Sequence, residues 1–370
     1  MDKIKILYYG LSTHLGGIET YLRKIYDNID KSLFEISFIK MSDKVYFEDY
    51  FIEGGAKFYQ VCSRKNPIKH IREIQKLLQE NKFDIVHINN NTMSYVELAL
   101  IALQQNCKVI MHSRSSSNAG GKITMILHYL NRIYTRNKPM RRIAVSQKAG
   151  NWLFGSDVNF EVYPNGVDID RFGYNEKFRN EIRTKFNLSD DDIILGHIGR
   201  LAYPKNQNFL IKLMTDLLVL NPRYKLMFVG EGTDGIYLRK LSNQLHLSDS
   251  VIFVGNQKQT EQFLSAFDIF LFPSFFEGYP NAVLEAETSG LPAVISNVLA
   301  PEVIVGDNTF PIPLVHQQWI DTVASIQKNT NRNSAIESVK RAQLDIKSEI
   351  SRLESLYIKI IDDKKTFKKI

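Results

Sequence analysis

The 370-residue chain has little cysteine, no long apolar run and, over one long interval, no acid. Its two cysteines, Cys62 and Cys107, lack any CxxC neighbour. That argues against a disulfide framework or a thiolate zinc site and suits a reducing compartment. The opening residues, "MDKIKILYYGLSTHLGG", break their apolar run too early for a secretory signal peptide. No apolar stretch approaches the roughly 20 residues that cross a bilayer. The expected location is cytoplasmic, with at most peripheral attachment to the inner face of the cell membrane. Low-complexity tracts and short-period repeats are also missing.

Acid disappears between Glu97 and Asp157, while the same interval holds nine cations, Arg114, Arg132, Arg136, Arg141 and Arg142 among them. With a net charge of +7, this one-sided run favours an anionic partner: nucleic acid, an acidic membrane or a diphosphate-bearing lipid. Nucleic acid is set aside, because the segment lacks the interleaved aromatics of a stacking platform. Within it, "ITMILHYLNRIYTRNKPMRR" puts Ile123, Ile126, Leu127, Leu130 and Ile133 on one helical face, with Arg132, Arg136, Arg141 and Arg142 at its end. Two readings stand. One is a core-packed helix with a solvated basic terminus. The other is a docking surface for an anionic membrane.

What is present is ordinary for a folded chain: 44% hydrophobic and 24% charged residues. The length exceeds what one core usually serves, so two domains are expected. Strand-like runs such as "FEISFIK", "DIVHINN" and "KVIMHS" alternate with amphipathic segments such as "IETYLRKIYDNI" and "NPIKHIREIQKLLQEN". The alternation restarts at "IILGHIGRL" and continues through "YKLMFVG", "VIFVG", "IFLFPS" and "PAVIS". Short strands separated by helices indicate parallel sheets and βαβ units. Two α/β halves follow, with a hinge near Tyr163–Phe172 and one C-terminal helical stretch from Ala335 to Ile361 before a basic tail.

Ligands of such sheets bind beyond the carboxyl ends of the strands. After the first strand, Gly16 and Gly17 open a helix whose N-terminus would suit phosphate, or simply make a tight turn. After "IILGHIG", Arg200 and Lys205 are either a diphosphate clamp or two surface charges. "VGEGTDG" fits GxGxxG through Gly230, Gly232 and Gly235, yet the next strand ends in Asn256, Gln257 and Lys258. A dinucleotide site wants an acid there, so a glycine turn near a ligand is the better reading. The triplet Asp190–Asp192 precedes its strand and reads as a polar turn rather than a cation site. His87 and His112 fall at the mouth of the first half. His112, beside Arg114, is the stronger candidate for bonding a diphosphate or a sugar hydroxyl.

The stretch "FPSFFEGYPNAVLEAETSGLPAVIS" reads as strand, turn and helix, with Asn281 as N-cap and Gly290 and Pro292 as the stop. It carries Glu277 on the turn and Glu285 on the helix. Carboxylates accept hydrogen bonds from vicinal hydroxyls, so this spacing suits a hexose and a ribose flanking a diphosphate. The plainer alternative is a pair of solvated helix-entry carboxylates.

Together "GGIE", "VS" at Val145–Ser146, "PNGVD", "GRL…K", "GEG", "FVG" and "FEGYPNAVLEA" resemble the retaining glycosyltransferases of family 4 over nearly the whole chain. Glu277 and Glu285 match that family's E-x7-E motif. The resemblance implies a GT-B fold, two Rossmann-like domains facing across a cleft. The first would span residues 1–170, with a helix at about 353–370 crossing back to it. The second, nucleotide-sugar-binding domain would span 171–352. It implies no cofactor and no metal. The substrates would be a nucleotide-sugar donor, with UDP the expected carrier, and a saccharide or diphosphate-lipid-linked acceptor. Transfer would retain the anomeric configuration, in synthesis of a bacterial capsule, exopolysaccharide or glycolipid. By this match Arg200 and Lys205 would hold the diphosphate, Glu285 the ribose and Glu277 the donor sugar. Gly16, Gly17, Val254, Gly278, Tyr279, Pro280 and Asn281 would line the donor, and His112 would stand near the reacting sugar. Two departures bear on the sugar rather than the chemistry. Tyr279–Pro280 replaces a more common Phe–Gly, and "NVLAPEV" lacks the glycine pair often found before Glu302. A GT-B-fold sugar-nucleotide epimerase and a non-catalytic partner subunit of a glycosyltransferase are the competing readings. Retention of both glutamates, Arg200 and Lys205 counts against the partner subunit.

Overall fold

The computed structural model describes residues 3–117, 121–299, 301–327 and 332–367. It divides into two compact units, Met1–Asn165 with Lys347–Ile370, and Gly166–Ile346. The first is built on a seven-stranded, all-parallel sheet: β1 (Ile4–Tyr9), β2 (Phe34–Lys40), β3 (Lys57–Gln60), β4 (Ile85–Asn90), β5 (Lys108–Ser113), β6 (Arg141–Ala144) and β7 (Glu161–Val162). Its order is β3-β2-β1-β4-β5-β6-β7. The second holds six parallel strands: β8 (Ile193–Ile198), β9 (Tyr224–Val229), β10 (Val251–Gly255), β11 (Ile269–Phe272), β12 (Ala293–Ser296) and β13 (Thr309–Ile312). Their order is β10-β9-β8-β11-β12-β13. Both are the doubly wound order in which the first strand sits beside the fourth. That pair is the switch point, where the connections diverge and a crevice opens at the carboxyl ends.

The strands form where the chain offers β-branched and aromatic runs that bury on both faces, as parallel sheets require. In the first unit Phe38 of β2 packs against Phe51 at 4.5 Å, Phe58 at 5.1 Å and Tyr8 at 5.9 Å between ring centroids. It is buried, and truncation to Ala would cost about 3–5 kcal/mol. In the second unit the buried Trp319 meets Phe209 edge-on at 5.2 Å and donates its indole N–H to the Pro313 carbonyl at 2.9 Å.

Four strands escape the sequence reading, and each has a reason. β3 and β7 are short, β6 opens with Arg141 and Arg142, and β13 contains Pro311. The proline is tolerated because β13 is an edge strand. The helical stretch expected from Ala335 to Ile361 consists of two helices, Ala335–Arg341 and Ile346–Phe367. Between them Gln343 takes a φ of 55°. The chain there leaves the helical path to pair with Val167, whose N–H donates to Leu344 O at 2.8 Å and whose carbonyl accepts from Ile346 N at 2.9 Å.

The C-terminal helix Ile346–Phe367 packs in the first unit. Tyr357 is fully buried, Glu349 pairs with Lys24 at 2.6 Å, and Glu354 accepts from the Asp30 N–H at 2.8 Å. Residues 368–370 of the basic tail, and Ala300 of "NVLAPEV", lie outside the described residues.

Candidate active site

The switch point of the second unit lies between β8 and β11, and the loops leaving those two strands carry Arg200, Lys205 and Glu277. Lys205 Nζ lies 2.6 Å from Glu277 Oε1, and both side chains are mostly shielded, at 21% and 15% exposure. The ammonium also sits 4.6 Å from the centre of the Phe272 ring. The two loops are stitched by backbone and side chain: the Phe275 N–H donates to Pro204 O at 2.9 Å, and Asn206 Nδ2 donates to Pro273 O at 3.2 Å. The Tyr203 ring lies against Phe275, tilted, at 5.2 Å between centroids.

Arg200 is exposed, but its backbone is fixed from three sides. Gln207 Nε2 donates to the Arg200 carbonyl at 2.8 Å. The Gly199 N–H donates to Val229 O at 3.0 Å and the Leu201 N–H to Glu231 O at 3.0 Å. The last two contacts explain the "VGEGTDG" glycines. A Cβ at Gly230, whose φ is 140°, would lie 2.2 Å from Gly199 O, and one at Gly232 would lie 2.2 Å from Leu201 O. The glycine turn lets two loops touch and so seats Arg200. Val254, half-buried, lies on β10 at the sheet edge, two strands from β8. It reaches this loop through its neighbour Gly255, whose carbonyl accepts from the Gly230 N–H at 2.9 Å.

Two residues at this site were invisible to the sequence reading. His197, on β8, is buried and neutral, its pKa pushed down to about 3 by burial. Its Nδ1–H donates to Leu271 O of β11 at 2.8 Å, and its Nε2 accepts from Gln207 at 3.2 Å. The pair thus ties the core beneath β8 and β11 to the Arg200 carbonyl. The only available signal was a histidine inside an apolar strand, one residue before the loop.

The glutamate helix runs Asn281–Thr288. Asn281 is its first residue rather than its cap: Pro280 holds the cap position, and no cap side chain bonds the helix. Two of its first-turn donors are engaged. The Asn281 N–H donates to Tyr279 O at 3.0 Å and the Val283 N–H to Pro280 O at 2.9 Å, because the Tyr279–Pro280 entry is tight. Tyr279 and Pro280 are buried, while Gly278 and Glu285 are half-buried. The helix stops in a Schellman turn: Gly290, at φ 68°, donates to Glu287 O at 2.8 Å and Leu291 to Ala286 O at 3.1 Å. Glu287, two residues past Glu285, faces the interior. It accepts from the Val305 N–H at 3.0 Å and from the Thr309 hydroxyl. Burial raises its pKa to about 7.

In the first unit the switch point lies between β1 and β4, and it is occupied by a chain of buried polar groups. Arg114 can only donate, so His112 Nε2 accepts from it at 3.2 Å. His112 Nδ1–H then donates to His87 Nε2 at 3.2 Å, His87 Nδ1–H to the Tyr357 hydroxyl at 2.7 Å, and Tyr357 to the Tyr8 hydroxyl at 2.5 Å. Burial first, and the Arg114 charge second, hold both histidines neutral: His87 at about 3, His112 well below the usual imidazole value. Arg114 lies over the Tyr21 ring at 3.6 Å. His112 is therefore a buried member of a network, with both ring nitrogens engaged. Gly16 caps the helix Gly17–Asn28, and a Cβ on Gly17 would meet nothing within 4 Å. The protein's own packing gives no reason for glycine at that second position.

The four arginines of the basic segment do not form a free cluster. Arg136 pairs with Asp157 at 2.7 Å, and Arg141 pairs with Glu161. Arg142 donates to the carbonyls of Thr135 at 2.7 Å and Arg136 at 2.9 Å, closing the end of the helix before it. Arg132 lies 5.2 Å from the Tyr129 ring centre. Asp190–Asp192 make the turn expected of them, with Asp191 paired to Arg223 at 3.0 Å. Among the described residues no group of three or more His, Cys, Asp or Glu side chains is placed to hold a metal.

Two family models tile this architecture. "Glycosyltransferase Family 4" matches residues 15–171, and "Glycosyl transferases group 1" matches residues 178–342. The chain belongs to glycosyltransferase family 4. It is a glycosyltransferase of GT-B fold that uses nucleotide-sugar donors. Similar proteins include EpsF of Bacillus subtilis (strain 168), whose name assigns it to the glycosyltransferases, 29% identical over 314 residues (82% of this chain and 81% of that one). The UDP-Gal:alpha-D-GlcNAc-diphosphoundecaprenol alpha-1,3-galactosyltransferase of Escherichia coli is 23% identical over 390 residues (98% and 99%). Among solved structures, Anabaena Alr3699/HepE in complex with UDP superposes with a TM-score of 0.79 at 18% identity, covering 95% of this chain and 99% of that one. That likeness concerns the fold.

Proposed function

We propose that this family 4 glycosyltransferase moves a hexose from a UDP-linked donor to a lipid-linked saccharide, with retention, in synthesis of a cell-surface polysaccharide or glycolipid. The observation that carries the reading is the shielded Lys205–Glu277 pair at the switch point of the second unit. As the donor bond breaks, negative charge develops on the departing diphosphate. Lys205 and Arg200 stabilise it, and a charge held in a shielded site acts more strongly than one in bulk water. Glu277 holds the ammonium in place and accepts hydrogen bonds from the donor sugar, while Glu285 receives the ribose hydroxyls. Gly17 leaves room for the donor, and the acceptor attacks on the face the diphosphate leaves. Neither glutamate is assigned as a covalent nucleophile. Support for UDP and for a diphosphate-lipid acceptor comes from the substrates in the name of the Escherichia coli relative and from the UDP complex of HepE.

The test is a panel of UDP- and GDP-sugars, with and without lipid-linked acceptor, in excess EDTA. The expected result is acceptor-dependent release of UDP and a product of unchanged anomeric configuration. Release of free sugar without acceptor would instead mark an epimerase, and no turnover with any donor would mark a partner subunit. Strict dependence on Mg²⁺ or Mn²⁺ would overturn the metal-free mechanism.

A further inference from the structure

The helix Lys122–Thr135, "KITMILHYLNRIYT", is inside out. A surface helix normally buries its apolar stripe and shows its polar one to water. Here the polar stripe is the anchored one. His128 is fully buried; its Nδ1 accepts from the Met93 N–H at 3.0 Å, and its ring stacks on Trp152 at 4.4 Å. Asn131 Nδ2 donates to Met93 O at 2.8 Å, and Thr135 is buried one turn further on. The apolar stripe faces outward: Ile123 is 75% exposed, Ile126 58%, Leu130 59% and Ile133 73%. These fall at i, i+3, i+7 and i+10, so they form one continuous band. The core-packed reading of this segment is thereby excluded.

The band is flanked by cations on aromatic rings. Arg132 lies over Tyr129 and Lys138 over Tyr134, at 5.2 and 4.9 Å, and both tyrosines are exposed. Lys122, the first residue of the helix, is exposed as well. No acid occurs from residue 98 to 156, and the nearest one in sequence, Asp157, is taken by Arg136. A two-fold contact with a second copy would set this patch against itself and bring cations to cations. A helix of 14 residues is about 21 Å long, too short to cross a bilayer. Among the described residues no helix is long and apolar enough to span one. Apolar side chains outward, tyrosines and cations at the rim and no acid within its own stretch of sequence together match a helix lying in an anionic membrane interface.

We infer that the Lys122–Thr135 helix docks the first unit onto an anionic lipid surface, by inserting Ile123, Ile126, Leu130 and Ile133 among the acyl chains. Of the four arginines expected to do this, Arg136 and Arg141 are paired with Asp157 and Glu161 and Arg142 closes the end of the helix; the apolar band, Arg132 and the lysines beside it take their place. The inference rests on the exposure of this helix and stands apart from the donor chemistry proposed above, although a membrane-bound acceptor would fit both.

The test uses the full chain and vesicles of phosphatidylcholine alone or with increasing phosphatidylglycerol. The variant Ile126→Ser/Leu130→Ser/Ile133→Ser opens no cavity, because these side chains are exposed. Wild type is expected to co-sediment increasingly with anionic lipid content and less at high salt. The variant is expected to bind at least about tenfold more weakly, with unchanged melting and unchanged UDP affinity by calorimetry. Equal binding by the variant, or no binding by wild type, would overturn the inference. So would a dimer in sedimentation velocity that the variant dissolves while wild type ignores vesicles. Loss of UDP affinity in wild type itself would count against the donor reading and leave the docking result intact.

Discussion

The two sheets repeat one strand order, yet their switch points are furnished in opposite ways. Between β1 and β4 the groups are neutral and desolvated: His87, His112, Tyr357 and Tyr8, with Arg114 as the one charged member at the outer end. Between β8 and β11 the loops present a charged pair, Lys205 and Glu277, with Arg200 exposed on the first of them. Under the proposed function, the difference teaches where catalytic charge sits. A neutral chain of hydrogen bonds rigidifies its unit and does not titrate near pH 7. A half-shielded ion pair on loops meets a charged substrate while still being held in place. Beneath it the second unit uses a neutral histidine too, His197, but only to fix the Arg200 carbonyl through Gln207.

The sharpest way to break this comparison is to neutralise the charged side. Lys205→Ala and Glu277→Gln are each expected to lower kcat/KM for transfer by about 10²–10³-fold, the range for loss of one preorganised electrostatic contact. A melting temperature like wild type with wild-type turnover would remove the residue from the site. A smaller effect is expected from Glu285→Ala. Ribose contacts are made in ground and transition states alike, so nucleotide affinity should fall about tenfold or more with kcat little changed. Titration calorimetry with UDP reads this, and a lost kcat at unchanged affinity would contradict it.

Acid should separate the units further. His87 and His112 have folded pKa values below the ordinary 6.5. The unfolded chain therefore binds more protons there, and the stability they confer is full above about pH 6.5 and falls as pH drops toward 3. In the second unit His197 acts the same way, but Glu287 opposes it. Its pKa is raised from 4.5 to about 7, so its contribution is full below 4.5 and is lost as pH rises through 7. Hydrogen exchange from pH 7 to 5, corrected for intrinsic rates, should show β4 and β5 losing protection before β8 and β12. Equal loss in both units would discard the opposition. Glu287→Gln should raise stability at pH 8 relative to wild type, with little difference at pH 4; the reverse order in melting temperature would refute the assignment.

Most of this was legible in the sequence, for physical reasons that vary by residue. Strands such as "FEISFIK" and "KVIMHS" are read residue for residue, because burial on both faces leaves a continuous apolar run. The ion pair was legible only as two separate candidates. Lys205 and Glu277 are 72 residues apart, and nothing local says their atoms meet. The inverted helix was legible as an amphipathic pattern but not in its sense, since a helical wheel shows that one face is apolar without saying which face is covered. That is decided by His128, Asn131 and Trp152, a tertiary arrangement. The arginines misled for a related reason: charge counted along the chain does not reveal Asp157, Glu161 and the helix carbonyls waiting at the other end of each side chain.

The C-terminal helix has a consequence for the order in which the protein is made. Tyr8 leaves the ribosome 349 residues before its hydroxyl partner Tyr357. Until that helix emerges, the nascent first unit holds His87 and Tyr8 without their polar partner, and the surface against which Leu353 and Leu356 bury is uncovered. The second unit, one uninterrupted segment from Gly166 to Ile346, meets no such delay. During synthesis the half translated later can thus complete its fold first, and the half translated first must wait, a natural client for a chaperone over most of the elongation time.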